Sequence, residues 1–281
     1  MTGAERRAAM DCSIVDVFAE RPLAGNQLAV VRGCAHLDKA EMQAVAREMN
    51  FSETTFVVDE RRGEASVRIF TTDRELPFAG HPTLGTAWVL GRDRDSYVLD
   101  LAAGRVRVAF ETGGIVWMEP PAVAMGEAVE PRRVAALLGL EAIDLDDRYP
   151  CRFATVGPWF LLVGVKTLES LRRIAVDPAL YRALAAGGWL SLFVFCEEPY
   201  SEDATYSARM LTFHHGLHED PATGSANAAF AALLRSLGAG GRVVVEQGFE
   251  IDRPSRLYLE VADAIRVGGK VHPVLTGTLA Y

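Results

Sequence analysis

No two cysteines in this 281-residue chain stand at CxxC spacing, and the four present, Cys12, Cys34, Cys151 and Cys196, have no histidine at metal-ligand spacing beside them. That argues against a spacing-encoded metal site and reads as buried thiols in a reducing compartment. Also missing is any stretch that concentrates Lys and Arg among aromatics. With a formal net charge of −8, attraction to nucleic acid or to an anionic membrane is not encoded. No uninterrupted apolar run is long enough to span a bilayer. The opening MTGAERRAAM leads into no long apolar core or small-residue cleavage site, so no secretory signal is read. The expectation is a cytoplasmic protein with no metal, whose partner is a small molecule or another protein.

What is present is a stretch that occurs twice. ELPFAGHPTLGTAWVL begins at Glu75 and EDPATGSANAAFAALL at Glu219, 144 positions later, each after a similar lead-in, RIFT from Arg68 and RMLT from Arg209. A shared offset across a Gly-containing turn and an apolar run points to one supersecondary unit present in two halves.

The surrounding pattern predicts strands and single helices in alternation. Short β-branched runs at Cys12–Phe18, Gln27–Val31, Thr54–Asp59 and Ala65–Thr71 read as strands, and Asp38 with Glu41 resembles a capping box opening a helix that ends near Asn50. The first repeated turn leads into a helix over Thr83–Leu90, with Pro82 in its first position; the second leads into one from about Ser225 to Leu237. The run Ala226–Leu234 lacks a polar face, as a helix buried on every side does. The fold class expected is α+β: two pseudo-symmetric domains, each a curved mixed β-sheet wrapped around a central buried helix. The expected boundaries are a flexible extension over 1–9, a first half over 10–119, a Pro-rich linker over 120–126, a second half over 127–268, and a final strand over 269–281 that can return to the first half.

A helix N-terminus carries backbone N–H groups without intrahelical partners and partial positive charge, so a terminus preceded by Gly can hold a carboxylate or an enolate oxygen. Gly80-His81 and Gly224-Ser225 are two such termini, and halves that face each other would bracket one small anion. On a single copy, a Gly that permits the turn and Ser225 as an N-cap would suffice; the duplication favours the functional reading. His81 can donate to a ligand or satisfy a nearby carbonyl. His214, His215 and His218 lack a Glu-x-x-His context and read as loop or surface residues. Glu53, between Phe51 and Phe56, reads as a carboxyl near apolar surface, with a raised pKa suited to shuttling a proton, and Asp220 is a second candidate. Against these stand a capping or salt-bridging role for Glu53 and closure of the Asp-Pro turn for Asp220.

Together DVF, GNQLAVV, FSETTFV, ELPFAGHPTLGTA, HEDPATGSANA, EQG and DRPSRLYL, in that order from about Cys12 to the C-terminus, resemble the phenazine biosynthesis PhzF-like family, within the diaminopimelate-epimerase fold. The resemblance implies that Glu53 is the general acid/base. It implies that His81, Asp220 and Ser225 line a cleft between two domains, and that Gly80 and Gly224 let the backbone approach the ligand. Epimerases of this fold carry a cysteine in both turns, where this chain has His81 and Ser225, so a two-thiol mechanism is not expected. The reading is a cofactor-independent isomerase of a small carboxylate. Beside it stand a single-base epimerase of an amino or hydroxy acid, and a member of the fold that binds a small anion or a protein without turnover. Family members often form homodimers, which adds a homodimer to the expectations.

Overall fold

The structure, a computed structural model, describes residues 9–280 apart from 187, 189 and 214–216. Its first half is built from short strands broken by Gly, Pro and Asn: β1 (Met10–Val17), β2 (Asn26–Arg32), α1 (Lys39–Met49), β3 (Glu53–Arg61), β4 (Glu64–Phe70), β5 (Glu75–Leu76), α2 (Gly80–Gly91), β6 (Ser96–Leu101), β7 (Gly104–Phe110) and β8 (Val116–Met118). The second half runs β9 (Ala124–Ala128), α3 (Pro131–Leu138), β10 (Arg152–Thr155), β11 (Trp159–Gly164), α4 (Leu168–Arg172), α5 (Pro178–Ala185), β12 (Leu190–Cys196), β13 (Tyr206–Phe213), β14 (Leu217–Asp220), α6 (Gly224–Ser236), β15 (Gly241–Gln247), β16 (Ser255–Val261) and β17 (Arg266–Gly269). The last strand is β18 (Val271–Leu279).

Pairing follows one plan twice. In the first half the strands run β18-β1-β2-β3-β4-β6-β7-β8, with only β2·β3 and β4·β6 parallel. In the second they run β9-β10-β11-β12-β13-β15-β16-β17, with only β11·β12 and β13·β15 parallel. The short strand β5 hangs on β4 as β14 hangs on β13. An antiparallel pairing of β8 with β17 joins the two halves. The edge strands are exchanged in sequence, since β18 at the chain's end borders the first half and β9, just after β8, borders the second. Residues 120–126, read from sequence as linker, therefore run into a strand. β9 is held by backbone pairing to β10 and by Arg152 Nε donating to the Gly126 carbonyl at 2.7 Å, which leaves little side-chain period to read.

The shared RIFT and RMLT lead-ins acquire a structural meaning. Arg68 donates to Glu75 through Nε and Nη2 at 2.7 and 2.9 Å, and Arg209 donates to Glu219 at 2.7 Å, so a forked ion pair pins the short hairpin in both halves.

Each half packs its sheet around its central helix, α2 or α6, whose side chains lie in one core that spans both halves. No helix among the described residues is long and apolar enough to cross a membrane. The four outer helices are closed by side chains: Asp38 caps α1 in the expected capping box with Glu41, Glu130 caps α3, Thr167 caps α4 and Asp177 caps α5. The two central helices start after Ala79 and Thr223 with no side-chain cap. Both start earlier than the sequence suggested. Gly80 is the first residue of α2, which makes Pro82 the third, still within the turn where a missing N–H costs nothing. Gly224 is the first residue of α6, so Ser225 lies inside the first turn instead of capping it.

Candidate active site

The two uncapped ends meet. A Cβ placed on Gly80 would lie 2.8 Å from Gly224 Cα and 3.0 Å from Ser225 N, so the first turns of α2 and α6 touch backbone to backbone. Only residues without a side chain allow this approach. It sets the partial positive ends of two helices against each other, an arrangement that an anion between or beside them would relieve.

Glu53 opens β3, which runs parallel to β2 with Leu28 opposite Glu53. A hydrogen bond between the hydroxyls of Thr55 and Thr86, 2.8 Å long, fastens that strand to α2. Glu53 Oε2 thereby lies 3.5 Å from Nδ1 of His81, the second residue of α2. The Glu53 side chain is 16% exposed, and burial, reinforced by the Asp220 charge, pushes its pKa up to about 8. Burial drives His81 the other way, down to about 3, against an opposing hydrogen bond with the Gln27 backbone. With His81 neutral and Glu53 largely protonated at neutral pH, the Glu53–His81 contact is not an ion pair. His81 Nε2 is buried with no hydrogen-bond partner among the described residues.

Asp220 ends β14 and faces the same seam. Its Oδ1 accepts from Asn26 Nδ2 at 2.9 Å and from Ser52 Oγ at 3.1 Å, both in the first half, and its Oδ2 accepts from the Thr223 hydroxyl. Burial raises the Asp220 pKa, the three donors from Thr223, Asn26 and Ser52 oppose that, and the Glu219 charge adds to it. The turn itself is held by Gln247, which donates to the Asp220 carbonyl at 2.8 Å and accepts from Thr223 N at 3.3 Å.

The structure therefore brings together Glu53, Gly80, His81, Asp220, Gly224 and Ser225. Sequence reasoning gave no role to Asn26, Ser52, Thr223 or Gln247, although all four lie inside the motifs that carried the resemblance. Their signal was a polar residue in a motif, and their partners are up to 194 positions away. His214 and His215 lie outside the described residues, and His218 is exposed on β14. All four cysteines are buried, none on α2 or α6, and burial pushes Cys34, Cys151 and Cys196 up to about 11 and raises Cys12.

The two shifts have opposite consequences for stability. A carboxyl whose folded pKa stands above its unfolded value stabilises the fold at low pH and loses that contribution as pH rises through the folded pKa. For Glu53 the loss falls between its ordinary 4.5 and about 8. His81, depressed from 6.5 to about 3, makes stability rise with pH over that lower window and contributes no slope above 6.5. Between pH 6.5 and 8 Glu53 thus acts without His81. Thermal melts across that interval are expected to show the wild type falling relative to Glu53→Gln, and parallel curves would contradict the assigned shift.

Two pseudo-symmetric α+β halves, each centred on a buried helix whose N-terminus opens onto a shared seam, define the class: the diaminopimelate-epimerase-like fold. Comparison with known proteins gives the family. A family model described as "Phenazine biosynthesis-like protein" matches residues 15–278. The trans-2,3-dihydro-3-hydroxyanthranilate isomerase of Pseudomonas aeruginosa is 36% identical over 89% of this chain and 90% of its own. An uncharacterized isomerase of Mesorhizobium japonicum is 35% identical over 95% and 97%. Among solved structures, a PhzF-family phenazine biosynthesis protein of Bacillus anthracis aligns with a TM-score of 0.83 over 97% of this chain and 99% of its own at 24% identity, a likeness of fold. A predicted epimerase of Pseudomonas aeruginosa aligns at 0.81 over 98% and 100% with 34% identity. The chain belongs to the PhzF-like phenazine biosynthesis family and is an isomerase.

Proposed function

We propose that the protein moves a proton between two carbons of a small unsaturated carboxylate, with Glu53 as the single general acid/base and the first turns of α2 and α6 as the anion site. The observation that carries this reading is the contrast among the helices. Among the described residues four have side-chain caps, while the two central ones have none and meet at Gly80 and Gly224 beside a protonatable glutamate. The N–H groups of the first turns and the lone buried Nε2 of His81 would take the carboxylate and the negative charge that develops on it.

In the forward step Glu53, as carboxylate, takes a proton from an acidic carbon. The C–H electron pair moves into the conjugated system and onto the carboxylate oxygens, held as an enolate by the helix ends. Glu53, now an acid, returns the proton at another carbon, and the double bond has shifted with no net gain or loss of atoms. A pKa near 8 suits both directions, because the ionised and neutral forms are both populated near neutral pH. Asp220 lies near enough to raise that pKa, and Ser52, the residue preceding Glu53, donates to its carboxylate.

The name of the Pseudomonas aeruginosa relative, an isomerase of trans-2,3-dihydro-3-hydroxyanthranilate, supports an unsaturated ring carboxylate as the class to try first. Incubation with that compound and with other small unsaturated carboxylates in deuterated water, followed by proton NMR, tests the reading. Migration of a double bond is expected, with deuterium at the new C–H position to the extent that the proton on Glu53 exchanges with solvent before it is returned. Inversion with deuterium only at the α-carbon would instead make the protein an epimerase. Tight binding with no exchange into any compound would make it a binding protein.

A further inference from the structure

The DRPSRLYL stretch carried part of the family resemblance and takes no part in the proton transfer above, yet its first arginine is built into the seam. Arg253 belongs to the second half and reaches into the loop between β1 and β2. Its Nη2 donates to Asp16 Oδ1 at 2.7 Å and to the Ala24 carbonyl at 2.8 Å, and its Nε donates to the Gly25 carbonyl at 2.9 Å. In return Gly25 N donates to the Pro254 carbonyl at 3.1 Å. The Asp16 carboxylate is buried, and its second oxygen accepts from Leu23 N at 2.7 Å.

The loop needs such a fastening. Phe18, Leu23 and Gly25 have φ values of 60, 63 and 70°, a conformation that side-chain-bearing residues seldom adopt. Leu23 is 66% exposed, so its own packing does not hold the turn in place. The residue that follows Gly25 is Asn26, whose buried amide donates to Asp220 Oδ1 at 2.9 Å and to the Ala222 carbonyl at 3.0 Å. One peptide unit therefore separates the carbonyl that Arg253 grips from the side chain that grips Asp220.

We propose that Arg253 is a positioning residue for the site: through Asp16, Ala24 and Gly25 it fixes the loop that presents Asn26 to Asp220, so the second half sets the first-half donor that orders its own carboxylate. The forked guanidinium is required, because a lysine cannot hold a carboxylate and two carbonyls in this geometry. The inference rests on Asp220 belonging to the site, and its test is independent of turnover.

The test is a ¹³C NMR titration of the Asp220 carboxyl in full-length protein carrying Glu53→Gln, which removes the neighbouring titration. The groups facing Asp220 are then the donors Asn26, Ser52 and Thr223 and the Glu219 charge. Loss of one donor to the ionised form raises a carboxyl pKa, here by about one pH unit. Asn26→Ala is expected to show that rise and Arg253→Lys to show it too, with the double variant rising no further than Asn26→Ala alone. An Arg253→Lys protein that melts lower while Asp220 titrates as before would reduce Arg253 to a structural brace and overturn the proposal, as would two shifts that add. Should Arg253→Lys not fold, Asp16→Asn carries the same comparison: the upward shift supports the proposal, and an unchanged Asp220 contradicts it.

Discussion

Glu53→Gln is expected to lower kcat by roughly 10²- to 10⁴-fold, the range a positioned general acid/base contributes, with the fold intact. Glutamine keeps the shape of the protonated side chain and cannot ionise. Because His81 beside it is neutral, held down by burial, the substitution leaves no charge without a partner. The melting temperature should match that of the wild type below pH 4.5 and exceed it by a margin that grows up to about pH 8 and then levels off, because the wild type loses the stability of its neutral buried carboxyl over that window. The two readouts are separable: a folded variant with full turnover removes Glu53 from the chemistry, whereas a melting curve unchanged at high pH removes only its raised pKa.

Gly80→Ala is expected to damage both stability and activity. Its methyl group would sit 2.8 Å from Gly224 Cα and 3.0 Å from Gly224 C and Ser225 N, all backbone atoms of a buried helix start, so α2 and α6 have to separate. Overpacking of that kind costs about 1–3 kcal/mol or more, and for a chain of this size each kcal/mol lowers Tm by roughly 2–4 °C. Activity should fall further than stability accounts for, because the separation widens the anion site itself. Gly224→Ala should be milder. Its methyl group would meet Gly80 Cα and Phe18 Cζ at 3.2 Å and the mobile end of Met118 at 3.3 Å, two of which are side-chain atoms. Differential scanning calorimetry on both variants checks the order, and a Gly224→Ala protein less stable than Gly80→Ala would contradict the backbone contact.

The duplication was legible because a Gly-turn-helix unit needs the same residues wherever it occurs, and the Arg-Glu ion pair in each hairpin repeats with it. The apolar run of α6 likewise announced a buried helix. The exchange of edge strands was hidden: side-chain alternation says that a strand has faces but not which sheet it joins, and β18 exposes Val274 and Leu275. The helix starts shifted because Gly80 and Gly224 are helical residues while the sequence offers stronger start signals one or two positions later, at Pro82 and Ser225. In the site, Glu53, His81 and Asp220 stood out as titratable groups next to glycine turns or apolar neighbours. Asn26, Thr223 and Gln247 are uncharged, and their importance comes from partners that only the folded chain supplies.

A crystal structure with a small carboxylate bound would show directly whether the two uncapped helix ends form one anion site with Glu53 beside it. Carboxylate oxygens are expected within hydrogen-bond distance of the first-turn N–H groups of both α2 and α6, with Glu53 in reach of a substrate carbon. A carboxylate bound at only one helix end, or with Glu53 turned away from it, would rule out a shared anion site served by Glu53.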